Sequence, residues 1–383
     1  MTSIWDNFRP GVLNKKQMTS LVSNGDIKIP GKQAIKASSL NLHLGSVGWN
    51  MKGSVKCLKD KDVMAGISKI RGDQFDLKEE VELKWPHTYL IELQEQVNLP
   101  IESKIAGQAT GRSTVGRLDV LTRLLVSGNP RYDQVPFGYN RGSLYVEITP
   151  ITFSIKVKEG VAISQLRLFK GKPELSELKG DVLELYGDIL YSEEGEIIEY
   201  NTDIDCLSLN LSPTEIKLGS GHTAIGYAAR GKSDLPAIDL SKPEKTYNPA
   251  DYWEPLPADT EGWVCIERDR FYIFRSRERF NLPRDVAVYA QAVSENLGEI
   301  RIHYAGFAHP TFGHHEEKLK GTPLIFEVRG HNVDTYLRHR EVLANIKFYK
   351  MSEEISEDDE KEVQDGDYQK QELKLSSYFK DWD

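Results

Sequence analysis

"TYLIELQEQVNLPIESKIAGQ" runs from Thr88 to Gln108, and "FYIFRSRERFNLPRDVAVYAQ" runs from Phe271 to Gln291. The two share a tyrosine, an Asn-Leu-Pro and a closing glutamine at a constant separation of 183 residues: Tyr89 to Tyr272, Pro100 to Pro283, Gln108 to Gln291. A single offset kept across three markers identifies an internal repeat. Followed forward with one gap, it sets "GSLYVEI" (Gly142–Ile148) opposite "TPLIFEV" (Thr322–Val328), with Glu147 facing Glu327. Alternation of apolar and polar residues, as in Leu144, Val146 and Ile148 against Tyr145, Glu147 and Thr149, makes these segments strands. The chain therefore reads as two copies of one all-β unit.

At 383 residues it exceeds what one hydrophobic core usually organises, which agrees with two domains. The expected divisions are a first repeat with its N-terminal helix over 1–225, a linker and second repeat over 226–350, and an acidic tether with a C-terminal segment over 351–383. The clearest helix is Pro10–Gly25, with Leu13, Met18 and Leu21 on one face and a glycine at its end. Pro- and Asp-rich residues 233–263 read as a linker over the surface, and "SEEISEDDEKEVQDGD" (352–367) as a solvated tether. The last stretch brings back Tyr368, Tyr378, Phe379 and Trp382, which a disordered tail would not carry, so it is expected to dock.

A net charge of −9 leaves no global basic field for a nucleic-acid polymer, so any bound anion needs a local cluster. Neither a membrane-length apolar run nor a secretory signal is present, which makes the cytosol the expected compartment. Cys57, Cys206 and Cys265 lie too far apart for a metal clip or a disulfide framework, and His303, His314, His315 and His331 lack ligand spacing, so no protein-held metal is expected.

The local anion cluster is "QATGRSTVGRLDV" (Gln108–Val120). Arg112 and Arg117 offer guanidinium forks, Ser113 and Thr114 hydroxyls, and Gly111 and Gly116 backbone freedom, which suits a phosphate chain. A surface turn with its arginines paired to acids would use the same residues. Across the repeat, Ser294–Glu299 keeps the glycine and loses both arginines. Conversely, "HYAGFAHPTFG" (His303–Gly313) is a compact hairpin where the first copy is long and irregular.

Together, "GRSTVGRL", "HYAGFAHPTFG", the glutamate-bearing strand, the "YQKQELKLSSYF" tail and "IKASSLNLHLG" (Ile35–Gly45) resemble the dCTP deaminases of the dUTPase-like superfamily, in a long form with two tandem copies. The resemblance implies a mainly β fold of two tandem dUTPase-like β-barrels (distorted jelly rolls) with few short helices. It implies that Arg112, Ser113, Thr114 and Arg117 hold a triphosphate, with Ser113 also near the attacking water. Tyr304, Ala305, Gly306 and Phe307 would hold the pyrimidine, and Tyr368, Gln369 and Gln371 would belong to a lid. A glutamate would act as general base toward water at C4 of cytosine, Glu327 in the copy with the intact hairpin and Glu147 in the other. A lone strand glutamate is ordinarily an exposed salt-bridge residue, and only the motif context favours catalysis here.

The resemblance further implies Mg2+ bound through the nucleoside triphosphate, no catalytic zinc and a homotrimer. The anion turn of the first copy would then meet the hairpin and Glu327 of the second in one composite site. His309 stands where the family's hairpin carries an acid. dUTP pyrophosphatase activity, alone or combined with deamination, and non-catalytic nucleotide binding are the alternative functions.

Overall fold

The computed structural model describes residues 3–59, 61–198, 206–216, 222–231, 235–259, 261–292, 301–302, 306–315, 321–366 and 368–382. In the first half, β1 (Leu40–Met51), β2 (Thr88–Val97), β3 (Ile105–Gly111), β4 (Val120–Val126), β5 (Gly142–Pro150) and β6 (Ala162–Lys170) hydrogen-bond in the order β4-β5-β2-β1-β6-β3. In the second half, β7 (Cys206–Asn210), β8 (Phe271–Phe280), β9 (Val286–Ala292), β10 (Gly306–Ala308), β11 (Thr322–Arg329) and β12 (Val342–Lys350) run β11-β8-β7-β12-β9-β10. Thus β5-β2-β1-β6-β3 and β11-β8-β7-β12-β9 are one topology built twice, and the molecule is two tandem β-barrel repeats.

Register agrees as closely as order. Glu147 lies opposite Leu90, and Glu327 opposite Ile273, which is 183 residues further on. The Tyr89 hydroxyl accepts the Lys84 N–H just as that of Tyr272 accepts the Glu267 N–H. Buried Glu95 accepts the backbone N–H of His43, and buried Glu278 that of Ser208, each beside a break in strand register. A backbone donor stranded at an irregularity needs such a partner when it is cut off from water.

Two main cores form, the first of which also takes Phe271 and Ile273 from β8. Leu144, Val146 and Ile148 enter the first, whereas Phe274, Phe280, Phe326 and Phe348 fill the second. The alternation read over 144–149 does not separate wet from dry faces. Tyr145 packs with Trp49 and Leu90 in a further apolar cluster, and Glu147 is buried too.

Several expectations need correcting. The boundary at 225/226 falls too late, because Glu177–Leu178, Leu190–Tyr191 and β7 all pair with strands of the second half. The N-terminal helix is shorter than 10–25: α1 (Lys15–Ser23) starts after Asn14, which caps the Gln17 N–H, while Gly11–Val12 pairs with β6. Residues 233–263 are no surface wrap. Ile238–Asp239 adds a parallel strand beside Ile155–Lys156, and Trp253 is fully buried in the first core.

Nor is the acidic run a free tether. It forms α3 (Glu357–Gln364), capped by Ser356, with its acids crowded at the N-terminal end where the helix dipole favours them. Glu362 pairs with Lys15 and Lys36, and Asp359 with Lys15. Beyond it the tail docks as expected: Tyr378, Phe379 and Trp382 are buried in the first core, with Trp382 stacked on Tyr227.

Candidate active site

The turn at 112–117 links β3 to β4 through one helical turn, α2 (Ser113–Gly116). Its glycines are not used for unusual backbone dihedrals, since neither Gly111 nor Gly116 has a positive φ. What Gly116 provides is proximity. A Cβ built there would sit 2.5 Å from Glu327 Oε2 and 2.9 Å from its Cδ, so the carboxylate of the second repeat rests directly on the helix of the first. Gly313 makes the same kind of demand at the end of the hairpin, with φ +75° and no room for a Cβ beside the Phe280 carbonyl.

Around this contact lies a cavity of about 340 Å³, within the range of small-molecule sites. Arg112, Ser113, Thr114 and Arg117 line it from the first repeat. Gly306, Phe307, His309 and Glu327 line it from the second, and Tyr368, Gln369 and Gln371 from the tail. Tyr304, Ala305, His303 and Ser294–Glu299 lie outside the described residues.

Glu147 is not in this cavity. Its Oε1 accepts the Ser54 hydroxyl at 2.6 Å and its Oε2 the Val55 N–H at 3.0 Å, so both oxygens are committed to the 54–55 segment. Burial raises its pKa against those two hydrogen bonds. Glu327, 6% exposed, is instead pushed up to about 8, chiefly by burial; Arg117 opposes the rise and Asp119 adds to it. Two carboxylates at equivalent register thus meet different surroundings, one sealed by its own repeat and one facing a cavity.

Arg117 lines the cavity and at the same time engages the tail. It is buried, with Nη2 donating to Gln371 Oε1 at 2.7 Å and Nη1 to the Lys374 and Leu375 carbonyls at 3.0 and 3.3 Å. The Tyr368 ring lies 4.1 Å from its guanidinium carbon, and burial lowers its pKa. Its contacts hold the tail. Arg112, half-buried with one nitrogen on the Ala162 carbonyl, is the guanidinium more open to an anion. Buried Thr114 Oγ1 and Arg117 Nε have no hydrogen-bond partner among the described residues, which suits a site completed by a ligand.

The tail closes the cavity at several further points. Ser376 Oγ donates to the Thr114 carbonyl at 2.6 Å, Gln371 Nε2 to the Pro323 carbonyl at 2.9 Å, and Gln369 Nε2 to the Thr311 carbonyl. Glu372 bridges Arg275 and Arg279.

Sequence reasoning missed several contributors. Lys36, Asn41 and Gln165 line the cavity, and Glu362 reaches its edge from α3. Arg167, fully buried on β6, donates to the Val288 carbonyl at 2.9 Å and the Ala308 carbonyl at 3.1 Å, with its guanidinium carbon 4.1 Å from the Phe307 ring centre. It ties the hairpin of one repeat to the barrel of the other. His309 Nδ1 sits 2.8 Å from Ser38 Oγ; burial, then Arg167 and Lys36, push its pKa down to about 3, so the ring is neutral. Period-two spacing would have flagged Arg329, which shares a strand face with Glu327, but nothing local names its partner Asp119.

The chain matches two family models. That of the 2'-deoxycytidine 5'-triphosphate deaminase N-terminal domain covers residues 9–172, and that of its C-terminal domain covers residues 192–379. Among solved structures it is similar to the 2'-deoxycytidine 5'-triphosphate deaminase from Agrobacterium tumefaciens, at 28% identity and a TM-score of 0.80, covering 91% of this chain and 97% of that one. No curated protein matches it in sequence.

Proposed function

Because the chain belongs to the dCTP deaminase family, we propose that it hydrolyses dCTP to dUTP and ammonia in one composite site per chain, with Glu327 as the general base. The observation that carries this reading is the seating of the Glu327 carboxylate on Gly116 inside the cavity, while Glu147 is capped by Ser54 and Val55.

In the reaction, Glu327 takes a proton from water as the water oxygen bonds to C4 of cytosine. It then returns that proton to the amino group, which leaves as ammonia when the C4–N4 bond breaks, while the proton left on the C4 oxygen passes to N3, which took the electron pair of the C4–N3 double bond on attack, as the C4 carbonyl forms. A base held near neutral pKa can do both. Ser113, at the start of α2 and on the cavity wall, is suited to orient the water. Arg112 and Lys36 supply positive charge for the triphosphate, and Arg117 serves by anchoring the lid. The described cavity lining has Glu362 as its only carboxylate besides Glu327, and Glu362 is already paired with lysines. Mg2+ would therefore enter on the phosphate oxygens, where a hard cation is best held. We expect the enzyme to be a homotrimer. No helix among the described residues is long and apolar enough to cross a membrane.

The test is product analysis with dCTP, CTP and dUTP on the wild type, Glu327→Gln and Glu147→Gln. Ammonia and dUTP from wild type and Glu147→Gln, with none from Glu327→Gln, is the expected pattern. Activity surviving in Glu327→Gln overturns the assignment of the base. Appearance of dUMP and pyrophosphate would add a pyrophosphatase activity, and nucleotide binding with no product would make the fold a non-catalytic binder.

A further inference from the structure

Two residues after Glu327 on β11, Arg329 points to the same face and crosses to the first repeat. There its Nη1 meets the carboxylate of Asp119 and, at 3.1 Å, the Thr152 hydroxyl. Its Nη2 donates to the Asp269 carbonyl at 2.8 Å. Both side chains are buried, Asp119 completely. Asp119 directly follows the α2 turn, has a left-handed backbone with φ +55°, accepts the Thr152 hydroxyl on its carboxylate and takes the Ile151 N–H on its carbonyl. The segment carrying Gly116 and the strand carrying Glu327 are therefore joined by an ion pair adjacent to the point where carboxylate and glycine touch.

We propose that Asp119 and Arg329 are a positioning pair, one residue from each repeat, that fixes the Glu327 carboxylate against Gly116 and sets the charge around it. The proposal rests on Glu327 being the base. A buried pair of this kind adds little net stability over apolar residues of the same shape, and fixing one arrangement is a use that such pairs can serve. Here the arrangement fixed is the contact on which the chemistry depends. The charges acting on Glu327 are those of Arg117, which caps α2, and of Asp119 beyond it; Arg329 lies two residues along the same strand and pairs with Asp119, and Tyr368 of the tail lies over Arg117. With the pair intact, the charges of Asp119 and Arg329 oppose one another. Neutralising one leaves the other uncompensated beside the base, and the two losses act in opposite directions.

The experiment is the pH profile of kcat/KM for dCTP in Asp119→Asn, Arg329→Met, the double variant and Arg329→Lys, with thermal unfolding measured alongside. Asp119→Asn is expected to move the ascending limb to lower pH by about one unit, and Arg329→Met to move it upward by a similar amount. The double variant should return it toward wild type. In each single variant kcat should fall about tenfold while KM changes little, as for a misplaced group. Limbs that stay in place, or that move the same way in both single variants, overturn the proposal and leave a merely structural pair. Should the uncharged variants prove insoluble, Arg329→Lys decides: the limb should hold while kcat falls, and unchanged kcat refutes the positioning role. Glu327→Gln in the same series separates the two ideas, because activity in that variant would sink the assignment of the base itself.

Discussion

Replacing Gly116 by alanine adds one carbon at the place where the two repeats meet. That carbon would lie 2.5 Å from Glu327 Oε2, whereas ordinary contact begins near 3.4 Å, so the carboxylate or the helix must move by about 0.9 Å. Since φ at Gly116 is not positive, the backbone accepts alanine without strain. Helical preference for alanine even returns up to ~1 kcal/mol, set against ~1–3 kcal/mol of overpacking. Net stability should therefore fall by no more than about 3 kcal/mol. Catalysis is more exacting, since a displacement of about 1 Å in a reacting group costs on the order of 100-fold, or ~2.7 kcal/mol of barrier. Steady-state ammonia release from dCTP should show kcat down by that factor with KM altered much less, and thermal unfolding should show a cooperative, folded protein. A folded Gly116→Ala enzyme with kcat within about threefold of wild type would refute the reasoning, because the carboxylate would then not depend on this contact.

Other outcomes follow from neighbouring features. Because the Glu327 pKa is raised to about 8 and a base must be ionised to accept a proton, kcat/KM should climb as pH rises through about 8; a limb in the ordinary carboxylate range near pH 4–5 would contradict this. Glu147→Gln should keep wild-type turnover and lose about 1–2 kcal/mol of stability in urea unfolding, since one of its two accepting oxygens becomes a donor beside Ser54 or Val55. Arg167→Met strips the charged donors from the Val288 and Ala308 carbonyls, and should lower stability by about 3 kcal/mol while raising KM for dCTP several-fold in the folded fraction. Glu372→Gln releases the Arg275 and Arg279 clamp and should raise KM a few-fold, an effect that added salt reproduces in the wild type.

The repeat could be read from the sequence because its markers sit at one spacing inside long strands, and the same spacing carries Glu147 and Glu327 to equivalent register. The start of the second repeat was harder to see. "CLSL" at 206–209 stands where the first repeat has "NLHL" at 41–44, but four residues without Pro, Gly or Tyr landmarks carry too little signal to fix that correspondence. The acidic run gave no sign of α3 because it lacks an apolar stripe; its partners, Lys15 and Lys36, lie more than three hundred residues away in the chain. Arg117 matched a phosphate-binding pattern, yet its hydrogen bonds go to the tail. Residue type fixes what a guanidinium can hold, and only packing decides which acceptor arrives. Arg167, Asp119 and Arg329 were illegible for the same reason, since their partners come from the opposite half.

The strap over the cavity is pinned at both ends. On one side α3 is fastened to Lys15 and Lys36, and on the other Tyr378, Phe379 and Trp382 are sunk into the first barrel. A nucleotide therefore cannot gain entry by the swing of a free end. Any widening of the doorway is confined to the span between the anchors, as in a bridge deck held between two piers.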